Sequence, residues 1–481
     1  MSTPTDKPPP PLAPASDDLQ RHRNEELLGT EKIGRLLARM SVPAMFAMFI
    51  NALYNVVDTI FIGRGVGALA IGGLTVAFPY QIFVIAVALM LGTGAASVVS
   101  RALGAGDHER AGLTTGTTIA FAAFCGVVLA TVAFTLTDPI LRLFGASEQL
   151  LPYATEYFTT VLFGTPFIVV AMAANNLIRA EGNAKVSMLV MLVGAVANIV
   201  LDPILIFGFG LGIRGAALAT VIGQALSLLV TVAYFGSGRS TLDLRVRHLL
   251  PKARLLRPVL AMGLPAFIRQ FGGSFLLVLV NNAALHYGGD LAIAAFGAIN
   301  RLLIFALMPI FGLAQGYQPI AGYNYGAGRM DRVKQSTRIT GMVAVAVTGF
   351  FFVVMVAFPR SLLSVFTDSV TMLNIAVPAM RRVVFVLPLV GLQVVGGTFF
   401  LAVGKAVPAL FLGMLRQIIL LIPMVAILPS LFGLDGLWIA FPIADTLAAI
   451  VTMGWLALFM RRNLGGDEMS TDRRLLSKEK L

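Results

Sequence analysis

The sequence predicts an all-α polytopic membrane protein of about twelve transmembrane helices, arranged as two pseudo-symmetric six-helix lobes. Three observations predict it. Hydrophobic residues make up 57% of the 481 and charged residues only 12%, with a mean hydropathy of +0.85; a soluble chain would carry roughly 25% charged residues. Apolar runs longer than the ~20 residues that cross a hydrocarbon core recur along the chain. The two halves also repeat each other at one fixed offset, 222 residues.

Taken in order, residues 1–35 are rich in proline and charge, with Pro8 to Pro11 consecutive. No apolar stretch follows the early charges as a signal peptide requires, so a disordered cytoplasmic tail is expected. The N-lobe, 36–236, holds segments at 37–62, 70–99, 113–136, 153–178, 186–207 and 215–236. A polar linker, 237–257, leads to the C-lobe, 258–460, with segments at 258–285, 291–320, 336–358, 374–402, 408–430 and 437–459. Residues 461–481 form a second cytoplasmic tail.

Charge orients the chain. With both termini cytoplasmic, 27 Lys and Arg fall on that side, against Arg64, Arg142, Arg214 and Arg360 on the other, as the positive-inside rule requires. The net charge of +12 is thus accounted for by short loops and tails. No basic helix suited to a nucleic-acid groove is present, so no nucleic-acid partner is expected. Cys125, the single cysteine, lies in an apolar run and reads as a buried structural thiol. His22, His108, His248 and His286 show no metal-ligand spacing.

The repeat pairs Pro43-Ala44 with Pro265-Ala266, Gly104-Ala105-Gly106 with Gly326-Ala327-Gly328, Pro166 with Pro388, and Gly182 with Gly404. Six crossings return to the same side, so the lobes share one orientation. Transporters commonly place their sites between or within such repeats. A channel or a membrane-embedded enzyme are the competing classes. There is no P-loop, HExxH or GxSxG, and Gly404-Lys405-Ala406 lacks the hydroxyl and the leading glycine of a P-loop. ATP-driven transport by this chain alone, or enzyme chemistry, therefore has no motif behind it.

The costly groups sit in the first lobe. Segment 1 carries Asn51, Asn55 and Asp58 at spacings of four and three, on one helical face. An aspartate in hydrocarbon costs about 2.5–3.5 kcal/mol on insertion scales. Asp202, Thr220 and Tyr157 fall at a similar depth in the outer half, counting ~1.5 Å per residue. Asn198 lies one turn from Asp202, Gln224 one turn from Thr220, and Pro203 directly after Asp202 predicts a local kink. In the second lobe, Gly273, Leu277 and Val280 stand where Asn51, Asn55 and Asp58 do, so the fold itself does not need these polar groups. The set offers oxygen only, which suits a proton or a hard monovalent cation such as Na⁺ at Asp58 and Asp202, and no other metal. Low dielectric and mutual repulsion favour a proton on one of two neighbouring acids. The second lobe instead holds Arg269, Arg301, Arg381, Arg382 and Arg416, with Asp445 available to pair with one of them. Arg269 and Arg301 are candidates for a substrate cavity, together with Asn51, Asn55 and Gln224. Glu156, near a membrane surface, is expected to be solvated.

Several motifs resemble the multidrug and toxic compound extrusion (MATE) family. They are Tyr54-Asn55-Val56-Val57-Asp58-Thr59 with Ile62-Gly63, Ala102-Leu103-Gly104-Ala105-Gly106, and Arg179-Ala180-Glu181-Gly182-Asn183-Ala184-Lys185. Asn198-Ile199-Val200-Leu201-Asp202-Pro203 and Gln318-Pro319-Ile320-Ala321-Gly322-Tyr323-Asn324-Tyr325-Gly326 complete the set. The resemblance covers nearly the whole chain between the tails. It implies twelve helices in two lobes around a central cavity, in a bacterial plasma membrane. It further implies export of cationic, lipophilic, drug-like compounds in exchange for Na⁺ or H⁺. The second-lobe acids of the NorM-type branch are missing from 258–285 and 374–402, so the chain is similar to the DinF/MepA-like side. That likeness implies a coupling site of Asp58, Tyr157, Asn175, Asn198, Asp202 and Thr220, although residue counting puts Asn175 near the cytoplasmic end. A monomer with no cofactor beyond the coupling ion is expected. A flippase for a lipid-linked anionic precursor, from the wider superfamily, is the alternative, with the second-lobe arginines lining its cavity.

Overall fold

The computed structural model describes residues 26–65, 68–242, 244, 248, 252–367 and 369–463; side chains at 51, 52, 54–60, 63–65, 68–71, 274 and 463 lie outside that description. Asn51, Asn55 and Asp58 are therefore placed by their helix alone. Among the described residues there is helix and no strand.

The first lobe consists of α1 (Ile33–Gly65), α2 (Ala68–Gly104), α3 (His108–Thr135), α4 (Leu151–Leu162 and Thr165–Ala180), α5 (Ala184–Pro203) and α6 (Gly212–Gly236). The second begins with one continuous helical run, Ala253–Gly326, broken at Gly289 (φ 68°). Both of its ends approach the same end of α2: Val259 lies against Gly94, and Tyr323 against Gly104. The run thus folds back, giving α7 (253–288) and α8 (290–326). Then follow α9 (Met330–Ala357) and α10 (Val370–Val383 and Leu387–Ala402). A second reversal at Gly433 (φ 60°) divides α11 (406–432) from α12 (434–463). Among the described residues, eight helices are long and apolar enough to span a membrane, or ten counting each bent pair as one span. The two reversals bring the total to twelve. Most of these helices run past the expected segment ends, because they continue beyond the apolar core.

The two bends fall at matched places. α4 turns by 52° and α10 by 49°, each with proline in the first turn of its second half, Pro166 and Pro388. A proline there has no N–H to bond back across the break and a backbone already preset for helix. Segments 4 and 10, expected to be continuous, are broken for this reason. The repeat also reaches the turns. Gly106 and Gly328 (φ 74° and 71°) close the ends of α2 and α8, and Gly182 and Gly404 (φ 91° and 78°) those of α4 and α10. Left-handed backbone favours glycine at each.

The termini mark one end of the bundle, and there the lobes are packed together. Leu28, Ile33, Leu36 and Met40 share a core cluster with Tyr317, Phe399 and Phe400. Glycine seams bring backbones into direct contact. A Cβ on Gly263 of α7 would overlap the Met90 carbonyl of α2, one on Gly94 the Val259 carbonyl, and one on Gly316 of α8 the Ser41 side chain of α1. Gln318 donates across the seam to the Thr93 carbonyl at 3.1 Å. Midway, Phe83 meets Phe267 and Phe271 with ring centroids 5.9 and 6.2 Å away, and Phe49 meets Phe305 at 6.2 Å. Beyond these rings, the described contacts stay within a lobe. Gly73 packs on Tyr153, Gly272 on Ile418, and Gly288 on Leu434. Phe271, Phe275 and Val278 are exposed. Among the described residues the molecule is closed at the termini end and parted at the other.

Within the tail expected over residues 1–35, residues 26–30 and 33–35 are helical, a correction to that part of the sequence reading; residues 1–25 lie outside the described residues. Leu28 is fully buried. Asn324 and Arg332 donate to the Leu28 carbonyl (2.9 and 3.3 Å), Arg329 to that of Gly29 (2.6 Å) and Arg332 to that of Glu31 (2.7 Å). Cations at a helix C-terminus satisfy its orphan carbonyls and oppose its dipole. The linker is shorter than expected, since helix resumes at Ala253.

Candidate functional site

α1 packs along α5, and α5 along α6. On α5, Asn198 and Asp202 are four apart, so both face α6. Asp202 is 0% and Asn198 3% exposed. With its amide turned to satisfy both neighbours, Asn198 donates to Asp202 Oδ2 at 3.2 Å and accepts from the Thr220 N–H and hydroxyl, also at 3.2 Å. Such amide orientations are assigned from the bonding network. Directly after Pro203 the helix widens into a π-turn, Ile204–Gly208, a distortion common at functional sites. Three of the sequence candidates, Asn198, Asp202 and Thr220, are thus joined in one buried cluster.

Tyr157 is buried on α4 and accepts from Gln81 Nε2 of α2 at 3.1 Å. Gln224 sits one turn from Thr220. Its Oε1 is buried without a hydrogen bond, beside Gly164 in the break of α4. The helix positions of Asn51, Asn55 and Asp58 lie on α1, the neighbour of α5; their side chains fall outside the described residues.

Asn175 does not join this cluster. It lies in the termini half of α4, where it donates to the Ser187 carbonyl (2.6 Å) and accepts from Ser187 Oγ (3.0 Å) and Arg179 (3.1 Å). Eighteen residues of bent helix, roughly 27 Å measured along the axis, separate it from Tyr157, so it lies apart from the grouping implied by the resemblance. Asn175 instead belongs to a network at the lobe seam, in which Arg179 also bonds Asn176 and reaches Gln315 of α8.

In the second lobe, Arg416 pairs with Asp445, and Gln393 donates to the Asp445 carbonyl. Arg382 pairs with Asp435. Arg269 and Arg301 are exposed and have no ionic or hydrogen-bond partner among the described residues. Arg301 continues the stripe through Phe305 to Gly312 and Gly316 that packs on α1, so it faces the space between the lobes. Arg269 lies one turn from Gly273, which sits against Gln417 of α11. Glu156 is exposed and Cys125 half-buried.

Sequence reasoning quoted Glu181 within a family motif and gave it no role of its own. In the turn between α4 and α5 it is 1% exposed. Four groups donate to it: the Tyr234 hydroxyl, Ser240 Oγ (2.7 Å), and the Thr241 N–H and hydroxyl (both 2.9 Å). Burial pushes its carboxyl above the usual glutamate range, and the four donors only partly pull it back. The available signal was an acid in a termini-side loop otherwise occupied by Arg179 and Lys185.

The MatE family model matches residues 43–204 and again 265–427, two starts separated by the offset of the internal repeat. The multidrug export protein MepA of Staphylococcus haemolyticus is 27% identical over 450 residues, 93% of this chain and 99% of that one. A solved structure described as the outward-facing conformation of a multidrug resistance MATE family transporter is 27% identical, with a TM-score of 0.85 over 91% of this chain and 97% of the other. Another solved chain, recorded as protein A, is 42% identical, with a TM-score of 0.84 over 90% and 97%. Matched in both lobes by one family model, and sharing its two-lobed helical architecture with solved transporters, the chain belongs to the MATE family of multi-pass membrane transporters.

Proposed function

We propose that the protein exports lipophilic, drug-like molecules by alternating access in exchange for H⁺ or Na⁺, from a bacterial plasma membrane with both termini cytoplasmic. One observation carries this reading: the buried cluster Asp202–Asn198–Thr220 exists in the first lobe alone. At the 222 offset, Leu420 and Met424 replace Asn198 and Asp202. A buried carboxylate held by an amide and a hydroxyl is built to take up a proton or a bare cation. The name of the staphylococcal relative, a multidrug export protein, supports the substrate class. The charge asymmetry of the loops supports the orientation, which makes the parted end extracellular.

In this scheme an ion reaches Asp202 and Asp58 from outside and favours release of substrate. Its departure to the cytoplasm resets the site. Moving the lobes from mostly one state to mostly the other takes about 5.5 kcal/mol of differential binding, and neutralising a buried carboxylate supplies part of it. The test replaces Asp58→Asn and Asp202→Asn singly and measures dye efflux at matched membrane expression. Each should reduce efflux at least about tenfold, the scale of a single lost charge interaction; wild-type efflux from both sinks the reading. Separate Na⁺ and proton gradients in proteoliposomes identify the ion.

A second reading, a flippase for a lipid-linked anionic precursor, is favoured by Arg269 and Arg301, exposed and without an ionic or hydrogen-bond partner among the described residues. Under it, Arg269→Gln with Arg301→Gln abolishes lipid translocation and spares dye efflux.

A further inference from the structure

We propose that the space between the lobes takes planar aromatic molecules that carry a carboxylate, with the rings seated on four phenylalanines and the carboxylate on Arg301. The proposal rests on the export reading and names the class of molecule exported, where the family resemblance by itself implies cationic compounds.

The four rings make one contact twice. Phe49 of α1 meets Phe305 of α8, and Phe271 of α7 meets Phe83 of α2, each pair edge to face with centroids 6.2 Å apart. At the 222 offset Phe49 becomes Phe271 and Phe83 becomes Phe305, so the two contacts are repeats of each other. Phe351 of α9 braces Phe305 from within its own lobe, at 6.1 Å. Phe49, Phe271 and Phe305 nevertheless stay 47%, 53% and 51% exposed, so each keeps free surface at the level where the lobes part. Such rings accept a further flat aromatic group, edge-on or offset-stacked.

Charge breaks the symmetry of this frame. Arg301 stands one turn, ~6 Å, beyond Phe305 toward the parted end; its first-lobe counterpart, one turn beyond Phe83, is Pro79. Arg301 is exposed and has no ionic or hydrogen-bond partner among the described residues. Over 40–63, 68–100, 258–289 and 291–322, the membrane-crossing parts of α1, α2, α7 and α8, the sequence holds Arg269 and Arg301 against one acid, Asp58. The ion reading uses Asp58, and the balance stays cationic even with it counted. A cationic substrate would meet like charge here, whereas a carboxylate meets a guanidinium whose planar fork matches its two oxygens. Ring faces also attract cations, but an exposed phenylalanine does so more weakly than a guanidinium holds a carboxylate.

The test is fluorescence anisotropy of rhodamine 110 and of its methyl ester with the purified full-length protein in neutral detergent, without an ion gradient. The two dyes share their rings; the first has a free carboxylate, and the ester is a cation. Rhodamine 110 should bind about tenfold or more tighter, the scale of one charge-assisted pair. Arg301→Gln should bring its affinity down to that of the ester, Arg301→Lys should keep part of the preference, and Phe305→Leu should weaken both dyes alike. Unchanged thermal melting shows that each variant is folded. Equal or tighter binding of the ester by the wild type, which needs no variant, overturns the proposal, and so does an unchanged preference in Arg301→Gln. Equal binding of the dyes, with efflux still lost in Asp58→Asn and Asp202→Asn, sinks this proposal alone. Carboxylate-selective binding, with wild-type efflux from both of those variants, upholds it and sinks the ion-coupling reading alone.

Discussion

At the scale of single residues, two buried acids do different work. Asp202 meets an amide that also engages Thr220, inside a lobe, and is the proposed ion site. Glu181 is surrounded by four donors drawn from α6 and the linker, and so ties the linker to the turn between α4 and α5. Its titration has a definite sign. A carboxyl whose folded pKa lies above its unfolded value contributes stability that is present below the ordinary glutamate range and lost as pH rises through the folded value. The melting temperature of the wild type minus that of Glu181→Gln should therefore fall as pH rises through this window and then level off. A flat difference in detergent melts would show that burial does not govern this group. The sequence displayed Asp58 and Asp202 because charge inside an apolar run stands out. Glu181 was hidden because a loop acid looks solvated until the loop is seen to fold over it.

At the scale of elements, the glycine seams decide how closely α2 approaches α7. Gly263→Ala places a methyl group on the Met90 carbonyl, and backbone cannot yield as a side chain can. The helices must separate, at a cost of about 1–3 kcal/mol typical of overpacking. The variant should melt lower, and a cysteine placed at Thr93 should react faster with a water-soluble maleimide; unchanged values for both would contradict this account of the seam. Most helices were legible as apolar runs, and the bends at Pro166 and Pro388 were visible as paired prolines without their meaning. Hydropathy averages over a helix and does not register a break of two or three residues. The order of residues 26–30 was illegible for another reason: it comes from Arg329 and Arg332, some three hundred positions away.

At the scale of the whole molecule, alternating access requires the termini end to open. Ser41 of α1 and Gly316 of α8 lie so close that a Cβ on Gly316 would overlap the Ser41 side chain and backbone, so a larger residue there holds the seam apart. Gly316→Val should therefore hinder closure of the termini end and lower dye efflux at matched membrane expression. Wild-type efflux from that variant would mean that close approach of this seam is not needed in the cycle. The two-lobed plan was readable from the 222-residue offset, and the grouping of Asn198, Asp202 and Thr220 from depth along their helices. Asn175, which the resemblance joins to that group, stands apart from it in the termini half of α4, where counting residues along the segment already put it.

Val280 occupies the second-lobe position corresponding to Asp58, and it is 0% exposed within an apolar cluster that includes Ala284, Phe441 and Trp438. Once a duplicated lobe has filled that position with hydrocarbon, restoring the acid would mean burying a charge among side chains that offer it nothing. On the proposed reading one copy serves the ion and the other packing, and a single substitution does not reverse the division.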